Sequence, residues 1–313
     1  MYNKGIIIIY NDFTEDWLPI LKASSIKLIG LHSLYKLGGV EAYLEWLHRE
    51  STKALIEKFE AEGFIFVHQL HVLDYLLPKS LFENHREWFR ENKDHERIND
   101  WNLCPSNAEV LQYIENRTYE LALALRQKNH KYYLWPDDSI DSICYCKKCA
   151  KLTGADQAII IAEAMLKGLK RYDENAKLSF LAYQDAMGEI TIEHSDNLFL
   201  QFAPILRNHN EPITSNDEKN KHNRAVLNAL KNKFKDIEIL EYYLDASYFC
   251  QWKKENVSNI VINKEVLARD CEFYKSSGAT TITTFAGFIN KQWFERFGTQ
   301  AFKDYVEVIN KYF

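Results

Sequence analysis

Short apolar runs alternate along this chain with longer segments whose apolar residues recur at helical spacing. The first run, Ile6-Ile7-Ile8-Ile9-Tyr10, has no polar interruption. Such a run is expected of a strand covered on both faces. Seven more runs of strand length follow at 26–32, 64–68, 131–135, 178–183, 198–203, 237–243 and 280–285. Helices are predicted between them. One spans 15–23, with Thr14 as N-cap. A long amphipathic one spans 39–62 and stops at Gly63. A third begins after Ser106, with Glu109 completing a capping box, and runs to about Lys128. Others cover 156–172, 216–236 and 264–276, and a last one covers 298–313. Eight strands, most followed by a helix, predict an α/β chain folded as a single (β/α)8 barrel over residues 1–313. The stretch 69–107 carries Tyr75, Trp88 and Trp101 and reads as a long loop after the third strand. Loops of that length are commonly functional.

Charge and length narrow the classes. The net charge is −5, from 39 Lys+Arg against 44 Asp+Glu, which argues against a nucleic-acid surface. The run at Ile6 is too short for a signal core or a membrane span, so the expectation is a cytoplasmic protein with no membrane partner. In that compartment six cysteines are thiols or metal ligands, not a disulfide framework. With 11 Gly and 6 Pro, no stretch reads as an interdomain linker.

Barrel chemistry sits at the C-terminal ends of the strands. The fourth strand runs Tyr132-Tyr133-Leu134-Trp135 and stops at Pro136, which cannot donate to a ladder, and two acids follow, Asp137 and Asp138. The other strand ends carry His32, His68 and nearby His71, Tyr183 and Gln184, Arg207, Glu241, Tyr242 and Tyr243. A rim with two carboxyls fits glycoside hydrolysis, in which one gives a proton to the leaving oxygen and another serves as base, nucleophile or charge stabiliser. In a variant, the substrate's own acetamido group attacks while one Asp orients it and the other is the acid. Adjacent side chains on a strand point to opposite faces, so a shared pocket needs the backbone to turn at Asp137. Asp138 is therefore expected as general acid/base, Asp137 as orienting group and Glu241 as reserve nucleophile. His32, His68, His71, Trp135, Tyr183, Gln184, Arg207, Tyr242 and Tyr243 are expected to bind a small carbohydrate. This chemistry needs no cofactor.

Six residues beyond Asp138, Cys144-x-Cys146-x-x-Cys149 offers three thiols. Tetrahedral zinc needs a fourth ligand, for which Cys104 or a histidine such as His71 is available. Three free thiols are the plain alternative. A metal here would be structural, pinning the loop after Asp138.

These pieces resemble a known family, the glycoside-hydrolase-like domain of unknown function 4838. The resemblance lies in residues 76–89, Leu103-Cys104-Pro105-Ser106-Asn107-Ala108-Glu109-Val110, Trp135-Pro136-Asp137-Asp138, the cysteine stretch, Leu181-Ala182-Tyr183 and Glu241-Tyr242-Tyr243. It implies a barrel related to retaining hexosaminidases and α-glucuronidases, acting here on short imported glycosides such as an N-acetylhexosaminide or a uronide. Many relatives carry an extra N-terminal domain and an export signal, whereas this barrel begins almost at Met1. A non-catalytic carbohydrate-binding barrel is the second reading. A metal-dependent hydrolase is the third; such barrels want His-x-His after the first strand, where this chain has Tyr10-Asn11-Asp12.

Overall fold

The computed structural model describes residues 3–34, 36–100, 102–136 and 138–313. Its strands are β1 (Asn3–Ile9), β2 (Leu28–His32), β3 (Ile65–His71), β4 (Lys131–Trp135), β5 (Lys177–Ala182), β6 (Leu198–Phe202), β7 (Ile237–Glu241) and β8 (Thr281–Phe285). They close into a barrel in sequence order, β1 to β8, as expected for a (β/α)8 fold. The helices are α1 (Trp17–Lys22), α2 (Gly39–Leu47), α3 (Glu50–Glu60), α4 (Leu73–Leu76), α5 (Ala108–Leu125), α6 (Gly154–Tyr172), α7 (Glu218–Leu230), α8 (Ala246–Phe249), α9 (Lys264–Ser276), α10 (Lys291–Phe297) and α11 (Gln300–Ile309). Among the described residues no helix is long and apolar enough to cross a membrane.

Several boundaries differ from the sequence reading. The expected helix over 39–62 is two helices, broken at Arg49, whose backbone is extended. Glu50 then opens α3, an acid where the helix dipole favours one. The N-cap of α5 is Asn107, not Ser106; its side chain accepts from the amides of Glu109 and Val110. Asp16 stands at the N-cap of α1, and the Thr14 hydroxyl donates to its carboxylate. The expected C-terminal helix over 298–313 is α11, and a further helix, α10, precedes it and ends at Gly298, whose φ of +75° suits glycine. Most consequential, β3 runs on past His68 to His71. Gln69, Leu70 and His71 pair in parallel register with Tyr133, Leu134 and Trp135. Gln69 is completely buried, so a residue whose polarity reads as an exit from the strand lies inside it.

The chain divides into two compact units, residues 1–32, 46–67 and 201–313, and residues 33–45 and 68–200. In the first, β1 pairs with β2 on one side and β8 on the other, and β8 pairs with β7. Ile6, Ile7, Ile8, Ile29, Leu31 and Ile282 are all fully buried here. Gly5 makes the tight pairing of β1 possible: a Cβ there would meet the Leu28 carbonyl oxygen and Thr283 Cγ2 at 2.9 Å. Trp17 of α1 packs edge-on against Phe294 and Phe302. In the second unit, β4 pairs with β5 and with the last turn of β3. Helix α6 opens on a capping box, with Thr153 and Asp156 each accepting from the other's backbone. Asp156 also accepts from Thr191, so its burial is matched by hydrogen bonds.

Candidate active site

In the second unit, the ends of β3, β4 and β5 bring five of the expected residues together. The His71 ring lies 5.0 Å from that of Trp135 and 6.3 Å from that of Tyr183. His71 Nδ1 donates to the Pro136 carbonyl at 3.0 Å. A carbonyl can only accept, so the proton sits on Nδ1. Trp135, itself buried, donates from its indole to Ser179 Oγ at 2.9 Å. Asp138 is half-buried and meets Gln184, whose Nε2 stands 3.5 Å from Asp138 Oδ1. Asp137 lies outside the described residues.

Gln184 carries two marks of a functional position. Its φ is +48°, in the left-handed region that costs a non-glycine residue about 1 kcal/mol or more. Its side-chain Oε1 is buried and has no hydrogen-bond partner among the described residues. A buried acceptor left open beside a carboxylate is ready for a ligand's donor. The next residue, Asp185, holds the loop that follows Asp138. Its carboxylate accepts from the amides of Asp141 (3.0 Å) and Ser142 (2.7 Å) and from the Ser142 hydroxyl. Asp185 closes the strand-end stretch Tyr183 to Asp185 that the sequence places on the rim.

His68 faces elsewhere. The Tyr43 hydroxyl of α2 hydrogen-bonds its Nδ1, and the two rings lie 5.8 Å apart. Its surroundings bury it and push its pKa down to about 4. Strand alternation explains the split: His71, three residues on, leaves the strand on the opposite side from His68.

In the first unit, three more expected residues form one buried network against α9. Arg207 Nε lies 3.0 Å from Glu241 Oε1, and its Nη2 donates to Asp270 Oδ2 at 2.6 Å. Tyr274 of α9 donates to Glu241, and Tyr243 donates to Asp270 at 2.8 Å. Burial pushes the Asp270 carboxyl up to about 6, outweighing the opposing pull of Arg207. Glu241 and Tyr243, two residues apart, thus share the face that looks toward the helix. Tyr242, between them, meets the rings of His209 and Tyr248, each at 6.2 Å, and His209 Nδ1 also stands 4.0 Å from Glu241 Oε2. His209 and Tyr248 were not expected from the sequence. His209 lies in a turn and Tyr248 in the four-residue helix α8, segments too short for periodicity to describe. The same aromatic group continues to Trp252, 5.9 Å from Tyr248, which is 62% exposed with φ +59°. His32 closes the tally in this unit, edge-on to Phe285 at 5.1 Å.

The cysteines converge completely. Cys104, Cys144, Cys146 and Cys149 are all buried, with their Sγ atoms within 4.8 Å of one another. His71 takes no part in the group.

These features define a (β/α)8 barrel. The chain belongs to the family described as domain of unknown function DUF4838, whose model matches residues 35–307. No curated protein matches the chain. Among solved structures, a family 5 glycoside hydrolase from Prevotella bryantii in complex with a xyloglucan tetradecasaccharide aligns with a TM-score of 0.53 at 14% identity, over 96% of this chain and 86% of its own. A β-N-acetylhexosaminidase from Bacteroides fragilis gives 0.61 at 12%, over 98% and 65%. A β-galactosidase from a psychrophilic Marinomonas gives 0.62 at 10%, over 99% and 59%. At such identities the likeness is one of fold. This chain spans less than two thirds of the last two enzymes.

Proposed function

We propose that the protein is a glycoside hydrolase acting on short glycosides, with an N-acetylhexosaminide or a uronide as the substrate class. The observation that carries this reading is the group at the ends of β3, β4 and β5: a half-buried Asp138, the open Gln184 acceptor beside it, and the rings of His71, Trp135 and Tyr183 nearby. Aromatic faces take the apolar faces of sugar rings, and the carboxyl supplies the proton. In this reading Asp138 protonates the glycosidic oxygen as the C1–O bond breaks and the aglycone leaves as an alcohol. For an acetamido sugar, Asp137 orients the substrate's acetamido oxygen, which forms the new bond to C1. Asp138, now a carboxylate, then takes a proton from the water that opens this ring and returns the sugar. Glu241 is left out of the chemistry, because Arg207 and Tyr274 hold it against α9.

The test is a panel of aryl glycosides, N-acetylhexosaminides and glucuronides included, run beside Asp138→Asn. General acid catalysis contributes about 100-fold or more, so a fall of that size in kcat is expected. Undiminished turnover in the Asn variant would remove Asp138 from the mechanism. Sugar binding with no turnover on any glycoside would favour a carbohydrate-binding barrel instead. The cytoplasmic setting and the small carbohydrate partner belong to this proposal.

A further inference from the structure

The four-cysteine group has no part in glycosidic chemistry, and its geometry is specific. Cys104 comes from the loop after β3, where Phe89 pairs with Leu103 and Glu91 with Arg97 in antiparallel bridges. Cys144, Cys146 and Cys149 come from the loop after β4. Cys104 Sγ lies 3.7 Å from Cys146 Sγ and 3.9 Å from Cys149 Sγ. Sulfurs bonded to each other would stand about 2.05 Å apart. Four thiolates on one zinc ion, at about 2.3 Å each, form a tetrahedron with edges of about 3.8 Å.

The surroundings suit an ion with two net negative charges, which is what Zn²⁺ with four thiolates amounts to. Arg97 Nη1 lies 3.9 Å from Cys144 Sγ, and the Glu91 amide donates to the same sulfur at 3.3 Å. Ser106 Oγ stands 3.2 Å from Cys104 Sγ and 3.5 Å from Cys146 Sγ. Gln157 of α6 locks the loop behind the sulfurs, accepting from the Cys144 amide at 2.8 Å and donating to the Cys144 carbonyl at 3.0 Å. Such outer partners orient ligands and stabilise the charged set.

We propose that Cys104, Cys144, Cys146 and Cys149 form a closed structural site for one zinc ion, which clamps the loop after β3 to the loop after β4. All four positions of the tetrahedron are filled by protein sulfur, so no position is open for substrate or water. The ion therefore fixes the loop that begins at Asp138 and does no chemistry itself. This inference stands independently of the glycosidase reading, since it rests on other residues.

The test is the metal content of the full chain purified without added metal or chelator, read by plasma mass spectrometry and by zinc release when a mercurial modifies the thiols. About one zinc per chain, released in step with the thiols, is the expected result. Cobalt exchanged into the site should give the intense visible bands of a tetrahedral tetrathiolate. Cys104→Ser and Cys149→Ser should lose most of the zinc, whereas Cys250→Ser should keep it. Hydrogen exchange should rise in residues 86–106 and 138–150 of the depleted protein. Folded wild-type chain holding four titratable thiols and no metal would overturn the proposal, and so would iron with acid-labile sulfide. These readings on the wild type hold even where a cysteine variant fails to fold.

Discussion

Arg207 Nε stands 3.0 Å from Glu241 Oε1, and both side chains are wholly buried. The pair separates two roles that strand-end residues can play. Residues at the ends of barrel strands are expected at the site, yet this carboxylate and guanidinium turn to α9, where Asp270 accepts from Arg207 and Tyr243 and Glu241 accepts from Tyr274. Removing one partner of a buried pair leaves a charge without compensation, which costs about 3–5 kcal/mol. Glu241→Gln and Arg207→Met should each lose stability on that scale in urea unfolding. Glu241→Gln should keep most of its turnover at a temperature where it remains folded. Abolished turnover in a folded Glu241→Gln protein would return the residue to the chemistry.

Gln184 should matter to substrate and little to the fold. Its buried Oε1 has no hydrogen-bond partner among the described residues, and its left-handed backbone is already strained. Truncation to alanine leaves that strain in place and removes an acceptor for the sugar. Gln184→Ala should raise KM by roughly tenfold, the worth of one good hydrogen bond. Its unfolding free energy should shift by less than about 1 kcal/mol. Steady-state kinetics beside a thermal melt separates the two effects.

His68 should give stability a dependence on pH. Burial against α2 lowers its pKa from 6.5 to about 4. The unfolded chain therefore takes up this proton before the folded one does as the pH falls. The stability contributed by neutral His68 is complete above about pH 6.5 and is lost as the pH drops toward 4. The linked loss approaches about 3 kcal/mol over that interval. Burial also holds His209 at about 4 and raises Asp245 and Asp270 to about 6, so these groups titrate in the same interval. Comparing His68→Gln with the parent isolates one residue: the variant's unfolding free energy should fall less steeply between pH 6.5 and 4. Parallel curves would mean that His68 titrates normally.

What the order of residues decides by itself is visible in β4 and in the barrel's succession of elements. Tyr132 to Trp135 is a continuous aromatic and apolar run that Pro136 terminates, and the strand ends there. Eight such runs separated by helical segments leave few alternatives to the (β/α)8 arrangement, and the strands close in that order. The spacing of Cys144, Cys146 and Cys149 likewise marks one loop as unusual. Local pattern is enough in these cases because a strand buried on both faces, a proline and a thiol cluster each impose their constraint within a few residues.

Tertiary structure decided which way each side chain faces and which loops meet. Gln69 reads as a polar exit but is buried in β3, which moves the end of that strand to His71 and turns His68 toward Tyr43. Glu241 and Tyr242 are neighbours in sequence, yet one joins the ion pair of Arg207 and the other an aromatic group with His209. Cys104 is 40 residues from the nearest of the other three thiols, Cys144, and only the fold brings it among them. For the strand residues the physical reason is common, and for Cys104 it is the meeting of two loops. Alternation along a strand assigns opposite faces to successive residues, but which face meets a helix depends on packing partners far along the chain.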